Sequence, residues 1–547
     1  MSALRLLPLF AIAVVVASVN AQVGEAPVIR EHLDQAAIER GEVSFTKLFE
    51  KGRILFDARF NRLDGQGRPA TTGTGAPRTP DEPAFIRTSG PDATSCTGCH
   101  AQPRVGGAGD FVANVFVLAQ ALDPVTTSID PLFSNERNTL GMMGAGPIEM
   151  LAREMSEELI AIREAARQEA SSSGQSVSRA LVAKGVSFGT ITVLPDGKID
   201  PSAIEGVDWD LIIKPFHQKG AVVSLRQFSN NAMNHHHGIQ SVERFGLDAD
   251  PDSDGVVNEL TVGDVTAVSI FQAALGTPGR VIPRGHEAAI FDGERIFGSI
   301  GCTQCHVPAM ELKSRFFSEP NPFNPGANID APGGNLQVGQ VSKVYSFDMT
   351  RDGEAPRLER SASGGAVVRA FTDLKRHSLS DDEINFFANE KVPQGRLNGF
   401  APASDFTIPP PTRPLDQFLT RKLWDVGNSD PFGHRGDCTT LTEVIEFHGG
   451  AGRASRDAFF ALSEADRDKV IAFLKSMQVL PEDAPGLTIY SDENGVLEPW
   501  DLRVSLDDIR TCGPIGFFPI GLTFASLLGL RLWRGLPAGS RRRHRDA

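Results

Sequence analysis

The sequence has 547 residues, of which 41% are hydrophobic and 22% are charged. This length is enough for about two to four domains with a sizeable buried core. Acidic residues outnumber basic ones by 68 to 54, and the resulting net charge of −14 argues against a nucleic-acid-binding protein, which needs a basic face. The mean hydropathy of −0.15 excludes a polytopic membrane protein. Six cysteines are too few for a disulfide scaffold of this size.

Both ends of the chain have the composition of targeting segments. Residues 1–21 combine Arg5, an apolar stretch and a small-residue cleavage site, which predicts a secretory signal peptide. Residues 513–530 carry no charge and would rise about 27 Å as a helix, and an arginine-rich terminus follows them. We therefore expect an exported protein, periplasmic or at the cell surface, whose C-terminal tail is a membrane anchor or a sorting segment. The alternative for each segment is a buried helix.

Between these ends the pattern favours helices separated by long loops. Helices are predicted at residues 42–60, 260–275, 287–300, 441–447 and 463–477. Residues 154–184 have helix-forming composition that is interrupted at 171–174. Residues 195–197, Pro-Asp-Gly between two short β-prone runs, predict a hairpin. Loops and stiff connectors are predicted at residues 64–92, 318–340 and 402–414.

Two copies of one motif carry the strongest chemical signal. Residues 96–100 and 302–306 both read Cys-x-x-Cys-His, a spacing in which two thiols add to the vinyl groups of haem while the histidine coordinates the iron. Zinc sites and redox disulfides are the alternatives, but three ligands do not close a zinc site, and a redox disulfide does not explain the repeated histidine. The sequence thus predicts two covalently bound haem c groups, held by Cys96, Cys99, His100, Cys302, Cys305 and His306.

The sixth iron ligands decide what such haems do, because six-coordinate haem transfers electrons whereas five-coordinate haem binds peroxide or oxygen. The candidates are the remaining histidines and several methionines, namely His217, His235, His236, His237, His286, His377, His434, His448, Met142, Met143, Met150 and Met233. Three consecutive histidines cannot all face one iron, so residues 235–237 supply at most one or two ligands. Their alternative role is a polar loop near the haem propionates.

Residues 434–450, HRGDCTTLTEVIEFHGG, resemble the closing motif of the bacterial di-haem cytochrome c peroxidase/MauG superfamily, and within it the di-haem oxidoreductase branch. The resemblance runs from about residue 50 to residue 480 and includes both Cys-x-x-Cys-His motifs. It implies that His448 is the sixth ligand of the His306 haem, where the peroxidases have methionine and MauG has tyrosine. Such a haem would have a lower potential, since imidazole donates more strongly than a thioether. The alternative is a packing or propionate-binding histidine.

The same resemblance implies an acid–base residue. The peroxidases carry a Gly-Pro…Glu-Met signature whose glutamate serves the open haem, and residues 146–150 read GPIEM with a shorter spacing, which makes Glu149 the candidate. A carboxylate above open iron can take a proton from bound hydrogen peroxide and return it to the departing oxygen. A carboxylate at a helix N-terminus is the alternative.

An acidic loop follows the histidine cluster. Asp250, Asp252 and Asp254 precede Gly255, and alternating carboxylates before a turn-forming glycine can wrap a hard cation such as Ca2+, with Glu259 adding an oxygen. Position 12 of the loop is threonine instead of glutamate, so the loop is not a full EF-hand. An acidic solvated turn is the alternative, although related di-haem enzymes hold a calcium ion between their haems.

Five further residues have roles that the resemblance suggests. His377 is expected to line a haem, and Arg376 and Arg435 are candidate partners of the haem propionates, since the guanidinium fork pairs with carboxylates. Trp209 and Trp424 are candidates for electron transfer between the haems, with a core position as the favoured alternative for each.

These features predict a mostly α fold with two cytochrome c-like haem lobes, long loops and a small α/β insertion. In chain order the predicted segments are the signal peptide (1–21), the first haem lobe (22–154), the insertion (155–210), an inter-lobe segment with the calcium loop (211–285), the second haem lobe (286–482), a linker (483–512) and the hydrophobic, arginine-rich tail (513–547).

The function expected from this reading is the reduction of hydrogen peroxide. Electrons from a small periplasmic redox protein, a cytochrome c or a cupredoxin, would enter at the His306 haem and pass to the His100 haem. Two alternatives remain open. One is a MauG-like or oxygenase activity on an organic or protein substrate, and the other is a non-enzymatic electron-transfer cytochrome.

Overall fold

The computed structural model describes residues 25–66, 93–114, 136–251, 254–327, 333–389, 397–492 and 497–499. The segments predicted as signal peptide and C-terminal tail lie outside these residues, as does Asp252. Within the described part of the chain, no helix combines the length and the apolar character that crossing a membrane requires.

Helices form most of the framework. In chain order they are α1 (Gln35–Glu39), α2 (Phe45–Asp57), α3 (Ala145–Ser173), α4 (Leu225–Ala232), α5 (Val242–Phe245), α6 (Val262–Ala273), α7 (Glu287–Ser299), α8 (Leu441–Glu446), α9 (Arg453–Ala461) and α10 (Glu464–Ser476). The five helices predicted from periodicity are confirmed as α2, α6, α7, α8 and α10.

Local side chains explain where these helices begin and end. Ser44 and Ser463 accept hydrogen bonds from backbone amides of the first turns of α2 and α10, as N-caps do. Helix α3 ends before Gly174, whose φ of +66° places it in the left-handed region that favours glycine. The helix therefore ends at the predicted interruption, residues 171–174, but helix does not resume after it: residues 177–183 form a strand, contrary to their helix-forming composition.

Short strands join the helices in small sheets. They are β1 (Gly109–Asn114), β2 (Glu136–Thr139), β3 (Val177–Ala183), β4 (Val186–Val193), β5 (Ile199–Asp200), β6 (Gly279–Pro283), β7 (Met310–Leu312), β8 (Phe316–Glu319), β9 (Tyr345–Asp348), β10 (Glu359–Arg360), β11 (Ala366–Val368), β12 (Arg376–Ser378), β13 (Gln417–Leu419), β14 (Met477–Gln478), β15 (Thr488–Ser491) and β16 (Leu497–Pro499). The sheet orders are β1-β2, β3-β4-β5, β10-β11-β7, β8-β9, β12-β13 and β14-β6-β15-β16.

The number of strands corrects the description of the fold as mostly α. The hairpin predicted around residues 195–197 is confirmed by the antiparallel pairing of β4 with β5, in which Val193 lies opposite Ile199. Most of the other strands are two to five residues long, which is too short for a two-residue period to emerge from the sequence. The fold is better described as a set of helices connected by small sheets.

The predicted insertion is continuous with the segment before it. Helix α3 runs through residues 154 and 155, where a boundary was expected, and its C-terminal half packs against β3 and β4. The buried residues Leu159, Ala166 and Ala170 of this helix join the same core cluster as Phe188 of β4. The hairpin and the long helix thus share one hydrophobic core.

Candidate functional sites at the two Cys-x-x-Cys-His motifs

The two motifs adopt the same local structure. Each begins a short 3-10 helix, Cys96–Gly98 in the first and Cys302–Gln304 in the second. The backbone amide of the motif histidine donates to the carbonyl of the first cysteine, at 2.9 Å for His100 and 3.0 Å for His306. One tight turn therefore places two thiols and an imidazole together in each motif.

Each motif lies next to a helix pair that crosses at a glycine. Helix α2, before the first motif, packs on α6, and a Cβ at Gly52 would overlap the carbonyl of Ala267. Helix α7, before the second motif, packs on α10, and a Cβ at Gly293 would overlap the carbonyl of Lys469. The absence of a side chain at these two positions is what allows the close approach of the backbones.

The aromatic residues around the two motifs repeat as well. One helical turn after the crossing glycine, Phe56 and Phe297 face the motif histidines, and both ring-centroid distances are 6.2 Å. Phe56 also contacts Phe271 of α6 at 5.3 Å, and Phe297 contacts Phe473 of α10 at 5.4 Å. The two halves of the chain thus build equivalent surroundings for their motifs, an internal repeat that the sequence analysis did not detect.

The second motif opens into a cavity of about 260 Å³. Cys302, Cys305 and His306 line it from one side, and His448 lines it as well. Most of the wall is apolar, with phenylalanine and leucine side chains from helices α7, α8, α9 and α10. A flat, largely apolar group such as a porphyrin suits a cavity of this character.

Backbone carbonyls orient both imidazoles of this cavity. The Nδ1 atom of His306 lies 3.0 Å from the carbonyl oxygen of Phe371, and Nδ1 of His448 lies 2.6 Å from that of Val444. A proton on Nδ1 that donates to a carbonyl leaves Nε2 as the ligating atom. Burial lowers the pKa of His306 to about 4 and also lowers the pKa of His448, so both rings are neutral, as an iron ligand must be.

The histidine cluster lies at the first motif. Residues Met233–His237 form a short π-helix. The Nδ1 atom of His237 lies 2.7 Å from the carbonyl oxygen of Ala93, and its Nε2 lies 3.4 Å from Sγ of Cys96. Burial lowers the pKa of His100 to about 4, and the neighbouring His236 acts in the same direction. The structure therefore places His236 and His237 beside the first Cys-x-x-Cys-His motif, which fits both interpretations of the cluster.

His377 lines the cavity of the second motif, as expected. Its Nε2 lies 2.7 Å from Oδ2 of Asp373. Burial by itself would lower the pKa of His377, but hydrogen bonding to Asp373 and Cys305 raises it to about 9. Among the described residues, these three form the one group of histidine, cysteine and acidic side chains compact enough to hold a metal ion. No sequence motif marks Asp373, so this residue could not be identified from the sequence.

The structure does not support an acid–base role for Glu149. Its side chain is fully buried in α3, and its carboxylate accepts hydrogen bonds from Arg153 at 2.9 Å, from Asn321 at 2.7 Å and from the amide of Leu225 at 2.7 Å. Leu225 is the first residue of α4, so the carboxylate stabilises a helix N-terminus, which was the alternative interpretation. The sequence motif at residues 146–150 specifies none of these tertiary neighbours.

Replacing Glu149 by glutamine is expected to lower the free energy of unfolding by roughly 3–5 kcal/mol, because Arg153 would remain buried without its counter-charge. Urea unfolding of the purified protein measures this loss. The exposed Glu157 on the same helix gives the matched control, and Glu157→Gln should change stability by no more than about 0.5 kcal/mol. An unchanged stability with complete loss of peroxide turnover would restore Glu149 as an acid–base candidate.

The acidic loop forms a turn, but its described acidic side chains do not converge on one metal site. Asp250 accepts hydrogen bonds from the amides of Asp254 and Gly255, each at 3.1 Å. Glu259 is buried and accepts from the amide of Gln240 at 2.6 Å, and the described acids of the loop do not meet within metal-binding distance of it. The threonine at position 12, Thr261, caps the N-terminus of α6, which explains why glutamate is absent there.

Neither arginine proposed as a propionate partner lines the cavity. Arg376 is buried, and its Nη2 donates to Asp208 at 2.8 Å. Arg435 pairs with Asp437 at 2.8 Å. The cations that line the cavity are instead Arg421, Lys422 and Arg456, which no sequence motif singled out.

The two tryptophans occupy core positions. Trp209 packs on Phe406 with a ring-centroid distance of 5.2 Å. Trp424 lies against Gly144, where a Cβ would overlap the indole. On one side, its neighbour Leu423 lines the cavity of the second motif. On the other side, Gly144 follows Met143, and Met143 belongs to a hydrophobic cluster that packs against Cys96 of the first motif. Trp424 therefore lies between the surroundings of the two motifs.

Comparison with known proteins supports the resemblance described above. The model of the family "Di-haem oxidoreductase, putative peroxidase" matches residues 412–477, which include the predicted closing motif. No curated protein matches the chain.

Two solved structures are distantly similar to the chain. Hydrazine synthase of Kuenenia stuttgartiensis is 12% identical, with a TM-score of 0.33 over 87% of this chain and 100% of that one. A MauG-like protein associated with microbial copper homeostasis is 15% identical, with a TM-score of 0.24 over 62% of this chain and 92% of that one. At such TM-scores these likenesses carry no argument about activity.

Proposed function

We propose that this chain, which resembles the di-haem oxidoreductases, is an exported di-haem c-type enzyme that reduces hydrogen peroxide to water. One observation carries the proposal: the two motifs have equivalent surroundings but different histidine partners. At the second motif, His448 shares the cavity of His306 with Nδ1 bonded to Val444. At the first motif, His237 is held by Ala93 and Cys96. This difference supports a division of labour between two haems.

The residues of the second motif fit a haem. Two thiols and two imidazoles line one largely apolar cavity, which is the donor set that a c-type haem with two histidine ligands requires. When bound, the haem iron supplies one-electron redox chemistry and, where one face is open, a site for peroxide. Cys302 and Cys305 would hold this group covalently, while His306 and His448 would coordinate its iron.

The first motif would take the peroxide in this scheme. Cys96, Cys99 and His100 would hold the other haem c, and the surroundings of this motif match those of the second motif in the crossing glycine and the facing phenylalanine. Reduction of H2O2 to two water molecules consumes two electrons and two protons. His236, which lies close enough to His100 to lower its pKa, takes the place of Glu149 as our candidate for proton exchange there.

The proposal includes two cytochrome c-like lobes, export and a soluble electron donor. The equivalent helix pairs α2–α6 and α7–α10 support the two lobes. The composition of residues 1–21 supports export, and covalent haem attachment occurs outside the cytoplasm. The donor would be a small cytochrome c or a cupredoxin that delivers one electron at a time to the His306 haem.

One observation favours a second candidate, an electron-transfer cytochrome without catalytic activity. Residues 235–237 lie beside the first motif. If one of these histidines closed the first haem permanently, both irons would be six-coordinate and peroxide would have no site.

Carbon monoxide binding and peroxide turnover decide between these functions. We expect the reduced protein to bind about one carbon monoxide per two haems, and we expect peroxide to oxidise a reduced small cytochrome c catalytically when the protein is added. Donor and peroxide without the protein provide the control. Carbon monoxide binding without donor oxidation would favour oxidation of an organic or protein substrate, and the absence of any carbon monoxide complex would favour the electron carrier.

A further inference from the structure

Among the described residues, the wall of the second motif's cavity has cations but no acidic side chain. Arg421, Lys422 and Arg456 line it, and all the other lining residues are uncharged or histidine. An apolar cavity with an excess of positive charge is suited to a ligand that combines an apolar body with anionic groups.

The three cations differ in how their charge is balanced. Arg456 has a partner of its own, since its Nη1 lies 2.6 Å from Oδ1 of Asp457. Lys422 and Arg421 share Asp425: the ammonium of Lys422 contacts Oδ2 of this carboxylate directly, whereas Nη2 of Arg421 is 3.9 Å from the same atom. One carboxylate therefore faces two positive charges.

The two side chains differ in how deeply they are buried. The Lys422 side chain is 11% exposed and that of Arg421 is 32% exposed, while Asp425 is almost fully buried at 1%. Burial lowers the pKa of Lys422 to about 8 and also lowers the pKa of Arg421. A partly buried cation without its own counter-charge is unfavourable unless an anion binds beside it.

We propose that Arg421 and Lys422 bind the propionate groups of the haem attached to Cys302 and Cys305. This inference rests on the proposed function only in requiring a haem at the second motif. The guanidinium fork of Arg421 can bind one carboxylate with two parallel hydrogen bonds, and the Lys422 ammonium adds a second charge. These residues replace Arg376 and Arg435 as propionate partners, because those two are paired elsewhere.

Binding of the propionates by Arg421 and Lys422 would also affect the reduction potential of this haem. Positive charge beside the propionates favours the reduced haem, which carries one positive charge less than the oxidised haem. Arg421 would therefore raise the potential of a haem that two imidazole ligands keep low. This effect on a measured potential separates propionate binding from a purely structural role of the side chain.

The test is a spectroelectrochemical titration of the holoprotein with three variants. Arg421→Gln is expected to lower the reduction potential of the haem attached to Cys302 and Cys305. Arg421→Lys, which keeps the positive charge, is expected to restore most of this loss in potential. Arg435→Gln is the matched control: it also removes an arginine charge, but one that is paired with Asp437 away from the cavity. It should leave both potentials unchanged. Covalent haem content, measured by mass spectrometry, verifies that each variant has assembled.

The possible outcomes separate this inference from the proposed function. Unchanged potentials in Arg421→Gln, or a shift that Arg421→Lys does not reverse, would overturn propionate binding by Arg421 and leave peroxide reduction untouched. The expected shift in a protein without peroxide turnover would support the inference and contradict the proposed activity. A protein without any covalent haem at the second motif would refute both.

Discussion

Replacing His448 by methionine is expected to raise the reduction potential of one haem and to shift one low-spin signal in the EPR spectrum of the oxidised protein. Imidazole donates more electron density to iron than a thioether does, so its removal makes the iron easier to reduce. The increase should be a substantial part of the roughly 0.8 V range that axial ligands span. Spectroelectrochemistry and EPR on the same sample measure both effects.

The structure supplies the reason for choosing His448 and also a control. His448 lies in the cavity of His306 with its Nδ1 bonded to a carbonyl, whereas His286 is exposed at the start of α7. His286→Met should therefore leave both haem signals as they are in the unmodified protein. If His448→Met gave the same unchanged spectrum while keeping its haem content, His448 would not be an iron ligand.

Removal of either cysteine pair is expected to abolish peroxide turnover, but each removal eliminates a different haem. Without Cys96 and Cys99 the protein should retain one covalent haem and lose carbon monoxide binding, because the peroxide site would be gone. Without Cys302 and Cys305 it should also retain one haem and keep carbon monoxide binding, because only the entry point for electrons is lost. Intact-mass measurement under denaturing conditions and difference spectra of the reduced protein give these readouts.

The fifth described cysteine provides the control for this experiment. Cys438 is fully buried and lies outside both motifs, so Cys438→Ala should retain two covalent haems and full turnover. Two haems retained after removal of one motif's cysteines would contradict covalent attachment at that motif. Carbon monoxide binding lost with the second pair instead of the first would reverse the assignment of the two haems.

The residues of the second motif's cavity could be anticipated only in part from the sequence. The motif at residues 302–306 and His448 were both identified, the first by its fixed spacing and the second by resemblance. Three residues of this region were missed. Asp373 contacts Cys305 and His377, which line the cavity, and Arg421 and Lys422 line it themselves. Single charged residues in loops have no periodicity, and which of them face a cavity depends on how β12, β13 and the following segment fold.

The sequence by itself determined the features that depend on neighbouring residues. Helix α7 follows from its apolar spacing, the end of α3 from Gly174, and each Cys-x-x-Cys-His turn from five consecutive residues. In all these cases the interacting atoms lie within a few positions along the chain, so a local pattern is enough to specify them.

Only the tertiary structure decided the relations between distant segments. It placed the carboxylate of Glu149 against Arg153, Asn321 and the amide of Leu225. It made the α2–α6 and α7–α10 pairs equivalent, with one glycine crossing in each. Such contacts arise from long-range packing and charge pairing, in which a residue's partner can be more than a hundred positions away, and no short sequence pattern encodes that choice.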